Sequence, residues 1–158
     1  MTIGAFTVDT ALFRNAAAWV ARWVPTKPSQ PEWLGMSLEV YDEKLTFGSY
    51  DENITAQGTI PAEGSDTEVV VSARLLASVA STLPTSERTF VKFMGDLVII
   101  KTGAVTVTLP PMGVPLYPST FSSIKLPTVA WIPGANLDHA VQRVASAASR
   151  NEFAGPLQ

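Results

Sequence analysis

The residues that could carry out acid–base or metal chemistry are few and poorly placed for it. His139 is the only histidine and cysteine is absent, so neither a histidine-based triad nor a thiolate metal site can be assembled. The acid pairs Asp42-Glu43 and Asp51-Glu52 could suggest a metal site, but adjacent strand residues point to opposite faces and turn residues point to solvent. No glycine-rich phosphate loop ending in Lys-Ser or Lys-Thr is present. The sequence therefore predicts no enzymatic activity, no cofactor and no metal.

Phosphate binding is a chemistry that the lysine and arginine residues could still support. The net charge of −3 argues against a protein that is basic all over, so only a segregated patch would serve. The helices predicted below carry arginine on their polar sides, and their acids, Asp9 and Asp138, lie at or near a first turn, where they serve capping. This pattern predicts a basic helical face, although an ordinary solvated helix surface would look the same. The arginines concerned are Arg14, Arg22, Arg74, Arg143 and Arg150.

Two helices are predicted in the first 90 residues, each directly after a short strand. After a strand at residues 3–8, Asp9 or Thr10 caps a helix that runs to about Trp23, before Pro25 stops it. Ser72 caps a second helix, from Ala73 to about residue 83. Apolar residues recur at helical spacing in both helices and predict their buried sides. These residues are Phe13, Ala16, Ala17, Val20, Trp23 and Val24 in the first helix, and Leu75, Leu76, Val79 and Leu83 in the second.

Alternating apolar residues predict strands between and after these helices. Four strands fall at residues 34–41, 44–47, 53–60 and 68–71, with Asp42-Glu43 as a tight connection. Three more fall at 89–93, 97–101 and 104–109, and Thr102-Gly103 is the short connection of a hairpin. Residues 26–32 are predicted to form a loop because they contain two prolines. Residues 1–120 are therefore expected to form an α+β domain with two helices on one face of antiparallel sheets.

A second domain is expected after a linker. Residues 114–128 are rich in proline and serine, and we interpret them as a closing strand followed by a linker at residues 121–128. A strand at residues 129–132 and a third helix at about 136–149 follow. Residues 129–158 are thus expected to be the incomplete start of a second domain. The predicted inward positions of the third helix are Leu137, Ala140, Val141, Val144 and Ala148.

An internal repeat supports this organisation. Residues 8–21 align without gaps with residues 132–145, a shift of 124 positions that keeps three alanines and one valine in place. Within the first domain, residues 6–9 and their helix resemble residues 70–72 and theirs. The first domain is therefore predicted to be a duplicated strand-helix-strands unit, and a further copy begins after residue 128.

An ordered series of segments resembles landmarks of bacterial DNA sliding clamps, the beta subunit of DNA polymerase III, particularly those of actinobacteria. The resemblance covers the whole chain in order, although no single segment is specific to the family. The segments are Phe6-Thr-Val8, Ala18-Trp-Val-Ala-Arg22, Pro25-Thr-Lys-Pro-Ser-Gln-Pro31, Leu45-Thr-Phe-Gly-Ser-Tyr-Asp51, Val71 to Pro84 and Val114-Pro-Leu-Tyr-Pro118.

The resemblance implies the DNA-clamp fold and a head-to-tail homodimeric ring in which each subunit has three such domains. Helices would line a hole around double-stranded DNA, and the clamp would serve as a cytoplasmic, nucleoid-associated processivity factor that tethers the replicative polymerase. Its DNA contacts would be to phosphates and independent of sequence. Lys27 matches a basic position in the family's proline-rich loop, and Arg74 matches a basic residue at the start of the second helix. Helical position adds Arg14, Arg22, Arg143 and Arg150.

Departures from the family pattern leave a second hypothesis open. Sliding clamps are more than twice this long, and their pocket for polymerase and clamp-loader peptides lies between domains two and three. Trp19, Trp23 and the pair Glu32-Trp33 are unusual for the family and suggest a divergent, phage-encoded member. The alternative is a shortened clamp-like interaction module that binds a clamp or replication protein without encircling DNA.

Overall fold

The computed structural model describes residues 4–51, 53–113, 130–145 and 147. The chain divides into two compact units, Met1–Phe121 and Ser122–Gln158. The helices of the described residues are α1 (Thr10–Ala21), a 3-10 helix (Pro31–Leu34), α2 (Ala73–Thr82) and α3 (Gly134–Ala145). The strands are β1 (Gly4–Asp9), β2 (Gly35–Tyr41), β3 (Lys44–Tyr50), β4 (Thr55–Pro61), β5 (Glu63–Gly64), β6 (Thr67–Ser72), β7 (Arg88–Phe93), β8 (Val98–Thr102) and β9 (Val105–Leu109).

The strands form two antiparallel sheets that mix strands of the two repeated units: β1 and β5 of the first repeated unit pair within the sheet that contains β7, β8 and β9, and β6 of the second repeated unit pairs within the sheet that contains β2, β3 and β4. The first sheet has the order β4-β3-β2-β6, and the second has the order β5-β1-β7-β8-β9. Strand β1 pairs with β7 so that Asp9 lies opposite Arg88, and β6 pairs with β2 so that Ser72 lies opposite Gly35. The residue just before each helix therefore lies opposite the first residue of a strand from the other repeated unit. This correspondence agrees with the predicted duplication, and the α+β fold class is confirmed. The predicted cap of α2 is wrong in one respect, because the side chain of Ser72 forms no capping hydrogen bond.

The helices cover the core through corresponding positions. Phe13, Ala17 and Val20 of α1 are fully buried, and Leu76, Ala80 and Leu83, at or just after α2, lie 63 positions later and are equally buried. The Phe13 ring packs edge-to-face against Phe47 of β3 at 5.4 Å between centroids. Burial of each such large side chain stabilises the fold by about 1.5–3 kcal/mol.

Two residues predicted to be buried are not. Helix α1 ends at Ala21, and the N–H of Trp23 bonds the carbonyl of Val20 at 3.0 Å, a tight turn that takes Trp23 off the helical spacing. Trp23 is 43% exposed and Leu75 is 50% exposed, because Leu75 lies on the flank of α2 and not on its inner side. The remaining predicted buried-side residues of the two helices are fully or partly buried.

The connections mostly follow the sequence prediction. Asp42 and Glu43 have φ values of 49° and 57°, which is the left-handed pair of a type I′ hairpin turn. The predicted loop at residues 26–32 overlaps the 3-10 helix, which begins at Pro31, because proline is well suited to a first helical position. The two-residue strand β5 was not expected from the sequence.

The second unit contains α3, and no side chain of this helix is buried. The expected strand at residues 129–132 is wrong over its described part, since residues 130–132 have no regular structure. The expected closing strand, the linker, Ala148 and Arg150 lie outside the described residues.

Candidate nucleic-acid interface

Helices α1 and α2 lie side by side, and Arg14 joins them. The guanidinium Nη1 of Arg14 donates a hydrogen bond to the carbonyl oxygen of Leu83 at 3.2 Å, just beyond the end of α2. A cation at a helix C-terminus is favoured by the helix dipole. Arg14 is half-buried and held in this contact, so it does not project freely from the polar side of α1.

The start of α1 is fixed to the second sheet by buried hydroxyl groups. The hydroxyl of Thr10 contacts that of Thr89 at 2.7 Å and donates to the carbonyl of Glu87, and Thr89 contacts Thr102 at 2.8 Å. The carboxylate of Asp9 accepts a hydrogen bond from the N–H of Leu12 at 2.9 Å, which caps the helix. These contacts fix the orientation of α1, and therefore of the cations at its far end.

Three of the predicted phosphate-binding residues are exposed cations. Arg22 directly follows α1, Lys27 lies in the loop after it, and Arg74 occupies the first turn of α2. None of the three forms an ion pair with another residue that the structure describes. Arg74 lies at the positive end of the α2 dipole with no acid in that turn, an arrangement that costs roughly 0.3–1 kcal/mol. A bound phosphate would offset this cost.

The two helices and the loop that carries Lys27 contain no acidic residue. Residues 10–30 and 73–86 include no aspartate or glutamate. The other exposed positions of α1 and α2 are uncharged: they include small or polar residues such as Ala18 and Ser78 and the large apolar residues Leu12, Trp19 and Leu75. A phosphate group could thus approach these helices without meeting a negative side chain on them.

The second unit carries the remaining predicted residues. Arg143 lies in the last turn of α3, and Gln142 donates a hydrogen bond to Asp138 at 2.9 Å. The roles predicted for Arg143 and Arg150 stay predictions, as do those of the cations in the first unit. In the part of the chain that the structure describes, no three His, Asp or Glu residues form a possible metal site. No helix among those residues is long and apolar enough to cross a membrane.

Sequence reasoning missed the contact between Arg14 and Leu83. Helical position alone put Arg14 on the polar side of α1, and only the packing of the two helices reveals that this side is partly occupied by α2. A half-buried arginine that meets helix-end carbonyls has no local sequence signal, because its partner lies 69 residues away.

Solved structures define the class of this fold. The chain matches the beta sliding clamp of C. crescentus with a TM-score of 0.82, at 20% identity over 95% of this chain and 40% of that one. It matches the DNA polymerase sliding clamp of Bacillus subtilis with a TM-score of 0.80, at 19% identity over 97% of this chain and 42% of that one. Its fold is the DNA-clamp fold.

Sequence comparison then identifies the family. The model of the DNA polymerase III beta subunit, N-terminal domain, matches residues 4–121. The beta sliding clamps of Streptomyces coelicolor and Micrococcus luteus are each 30% identical, over 92% and 93% of this chain and over 38% and 47% of their own lengths. The chain belongs to the DNA polymerase III beta subunit family. It spans less than half the length of these relatives.

Proposed function

We propose that the chain supplies part of a sliding clamp, a processivity factor that encircles duplex DNA without sequence preference and tethers the replicative polymerase. The observation that carries this proposal is the pair of acid-free helices with exposed cations Arg22, Lys27 and Arg74. Membership of the beta subunit family makes duplex DNA the polyanion that fits this face. The clamp would have no catalytic step of its own.

The proposed mechanism combines weak ionic contacts with topology. Each exposed cation neutralises a phosphate and releases counterions, so affinity falls steeply with salt. Contacts to the phosphate backbone alone carry no base information, which lets the protein slide. Arg14 would contribute from its fixed position beside Leu83, and Arg143 and Arg150 would contribute from the second unit. Closure of a ring, and not the strength of any contact, would keep the protein on DNA.

Residues 1–120 are proposed to be the first clamp domain, residues 121–128 a linker, and residues 129–158 the opening of a second domain. The repeat supports this division. The buried Phe13, Ala17 and Val20 of α1 align with Leu137, Val141 and Val144 of α3, which are exposed. The apolar side of α3 is therefore the side that a sheet of a second domain would cover.

Assembly into a head-to-tail homodimer would use sheet edges. Strand β4 lies at one edge of the first sheet and β9 at one edge of the second, and no further strand pairs with either of them among the described residues; β6 and β5 lie at the opposite edges. Neither strand contains a charged residue, although exposed edges usually carry charges that prevent pairing. Polymerase and clamp loader are proposed to bind between the second and third domains of such a clamp, at the nucleoid in the cytoplasm.

Topology provides the test of this function. The complete protein is loaded with its clamp loader onto circular plasmid DNA and washed at about 0.15 M salt, where exposed ionic contacts are strongly screened. We expect retention on the circle and loss after a single double-strand cut. As a control, blocking both ends of the linear DNA with bound protein should restore retention. Equal retention on circular and unblocked linear DNA would contradict the proposal and favour a clamp-like module that does not encircle DNA.

A further inference from the structure

Helices α1 and α2 are attached to the rest of the first unit by different kinds of contact. The carboxylate of Asp9 caps α1, and the hydroxyl of Thr10 joins the start of α1 to Thr89 of β7. Helix α2 has no equivalent of either contact, since Ser72 forms no capping hydrogen bond and Ala73 lies where Thr10 lies in α1. Among the described residues, no side-chain hydrogen bond therefore fixes the start of α2.

The buried side of α2 is also smaller than that of α1. Within α2, Leu76 is the one large side chain that is fully buried, and Ala73 and Ala80 complete the buried side. Helix α1 buries both Phe13 and Val20. Apolar contacts have no preferred direction, and packed helices that depend on them can slide past one another by about 1–2 Å. Apolar packing alone therefore leaves the position of α2 along its own axis weakly fixed.

A directional contact holds the other end of α2. The guanidinium of Arg14 on α1 donates to the carbonyl oxygen of Leu83, the first residue after α2, at 3.2 Å. Among the described residues, this is the only side-chain hydrogen bond that joins α2 or Leu83 to another element. A hydrogen bond weakens steeply when its length or angle changes. The contact therefore opposes movement of α2 along its axis.

The last turn of α2 lacks a cation of its own. The hydroxyl groups of Ser81 and Thr82 donate to the carbonyls three residues earlier, each at 2.7 Å, but this turn contains no basic residue. The helix dipole favours a cation there, and Arg14 supplies it from the neighbouring helix. The position of α2 that corresponds to Arg14 is Ala77, so α2 offers no matching contact to the end of α1.

The contact at the end of α2 also affects Arg74 at its start. The hydroxyl of Thr10, at the start of α1, donates to the carbonyl of Glu87, which follows α2, so the two adjacent helices run antiparallel. Arg74 therefore lies at the end of the helix pair where Arg22 follows α1. Because α2 is a single helix of ten residues, a movement of its end along the axis displaces Arg74 relative to Arg22 by the same amount.

We propose that Arg14 is a positioning residue, which holds the end of α2 and thereby sets the distance between Arg74 and Arg22. Both cations then meet phosphates of one duplex without prior rearrangement, and such preorganisation raises affinity. The inference rests on the proposed function and specifies how Arg14 contributes to it. Arg14 acts through Arg74 and not as a phosphate contact itself.

The hold on α2 is tested without DNA by a distance measurement between the two helices. The chain contains no cysteine, so Ala18→Cys on α1 and Ser78→Cys on α2 place two spin labels at chosen exposed positions. Electron–electron double resonance then gives the distribution of distances between the labels. Arg14→Met keeps an apolar stem but removes the charge and the donors, and it should shift or broaden this distribution by about 1–2 Å.

Two control variants accompany this measurement. Arg14→Lys keeps a charge and a donor, and it should restore most of the original distribution. Lys92→Met removes one positive charge from β7, away from both helices, and should leave the distribution unchanged. Circular dichroism and urea unfolding confirm that each variant is folded. An unchanged distribution in Arg14→Met would overturn the proposal, whether or not the protein binds DNA.

The link to Arg74 is tested by a double-mutant cycle on duplex affinity, measured by fluorescence anisotropy at about 0.1 M salt. In the otherwise unchanged chain, Arg74→Ala should weaken binding about tenfold, because one phosphate contact is lost. In the Arg14→Met chain the same substitution should weaken binding only about twofold, because Arg74 is no longer held in place. Arg22→Ala should have the same effect in both chains, since α1 keeps its own anchors. Equal effects of Arg74→Ala in the two chains would overturn the positioning role.

The salt dependence distinguishes positioning from direct contact. When Arg74 is already alanine, Arg14→Met should leave the slope of log affinity against log salt unchanged. A further fall of about one in that slope would mean that Arg14 contacts a phosphate itself, and would also overturn the proposal. If Arg74→Ala bound duplex as tightly as the unchanged chain, the proposed function would fail instead, and the spin-label distances would still report on the hold of Arg14 on α2.

Discussion

The two halves of the first unit have one plan and different surfaces. A shift of 63 positions relates α1 to α2 and keeps three fully buried positions of α1, those of Phe13, Ala17 and Val20, apolar. The same shift places Ala11 where Arg74 lies, and Trp19 where Thr82 lies. Residues that build the core are thus repeated, and residues that could meet a partner are not. The duplication specifies the fold, while each half has acquired its own contacts.

Substitutions at the buried core positions should change the free energy of unfolding most, and they test whether the two halves share one plan. Phe13→Ala and Leu76→Ala remove corresponding, fully buried side chains. Each should lower the free energy of unfolding by about 3–4 kcal/mol through lost burial and a residual cavity. Urea unfolding followed by circular dichroism measures both. If one variant lost less than about 1 kcal/mol, the two halves would not share the core equally.

A smaller effect is expected where the halves differ in buried polar groups. A chain of hydroxyl contacts at the start of α1 joins Thr10, Thr89 and Thr102. The strand register places Ala73, Met36 and Ser49 at the corresponding positions around the start of α2. The hydroxyl of Ser49 is buried and has no hydrogen-bond partner in the described structure.

Thr89→Val should therefore cost about 1–3 kcal/mol, because it leaves other hydroxyl groups unsatisfied. Ser49→Ala should be neutral or stabilising, because it removes a buried group that has no partner. Both are compared with the unchanged protein in the same urea titration. A destabilising Ser49→Ala would mean that this hydroxyl is satisfied after all.

The smallest effect concerns charges across the two sheets. Glu39 and Glu68 lie directly opposite each other in the first sheet. At the corresponding positions of the second sheet, Lys92 lies opposite Ala5. Burial, followed by repulsion from Glu39, raises the pKa of Glu68 above its usual 4.5. The stabilisation from protonated Glu68 is therefore fully present below pH 4.5 and is lost as the pH rises through the raised pKa.

Glu68→Gln should accordingly be more stable than the unchanged protein at neutral pH, by about 0.5 kcal/mol. This advantage should disappear as the pH falls below about 4.5, where Glu68 is protonated in both the folded and the unfolded states. Urea unfolding at several pH values measures the difference. An advantage that does not vary with pH would exclude the proposed repulsion as its cause.

The elements of the fold follow from local patterns, but their pairing does not. Alternation located the main strands to within a few residues, and Asp9 and Ser72 located the starts of α1 and α2. The carboxylate of Asp9 caps α1 as predicted, whereas the side chain of Ser72 forms no capping hydrogen bond. The exchange of β1 and β6 between sheets depends on how both halves pack, which no local spacing encodes. The exposure of Trp23 and Leu75 was missed for a related reason. A helical spacing marks a broad apolar side, and only the neighbouring elements decide how much of that side they cover.

The candidate site, too, could be predicted only in part from the sequence. The absence of acids from both helices is a property of composition and was readable in advance, as was the exposed position of Arg74 at a helix start. The contact that holds Arg14 against Leu83 required the packed structure. A cleft lined by Asp9, Glu43, Glu63 and Arg88 also joins residues from distant parts of the chain, so no sequence motif predicts it.

The central claim is that the helical side of the first unit, and not its positive charge in general, binds DNA phosphates. Two double variants that remove equal charge decide it: Lys27→Ala with Arg74→Ala, and Lys92→Ala with Lys101→Ala on the outer face of the second sheet. Binding to a random-sequence duplex is measured by fluorescence anisotropy at several salt concentrations. The first double variant should reduce the slope of log affinity against log salt by about two, and the second should leave it unchanged. Equal reductions in both would contradict the claim.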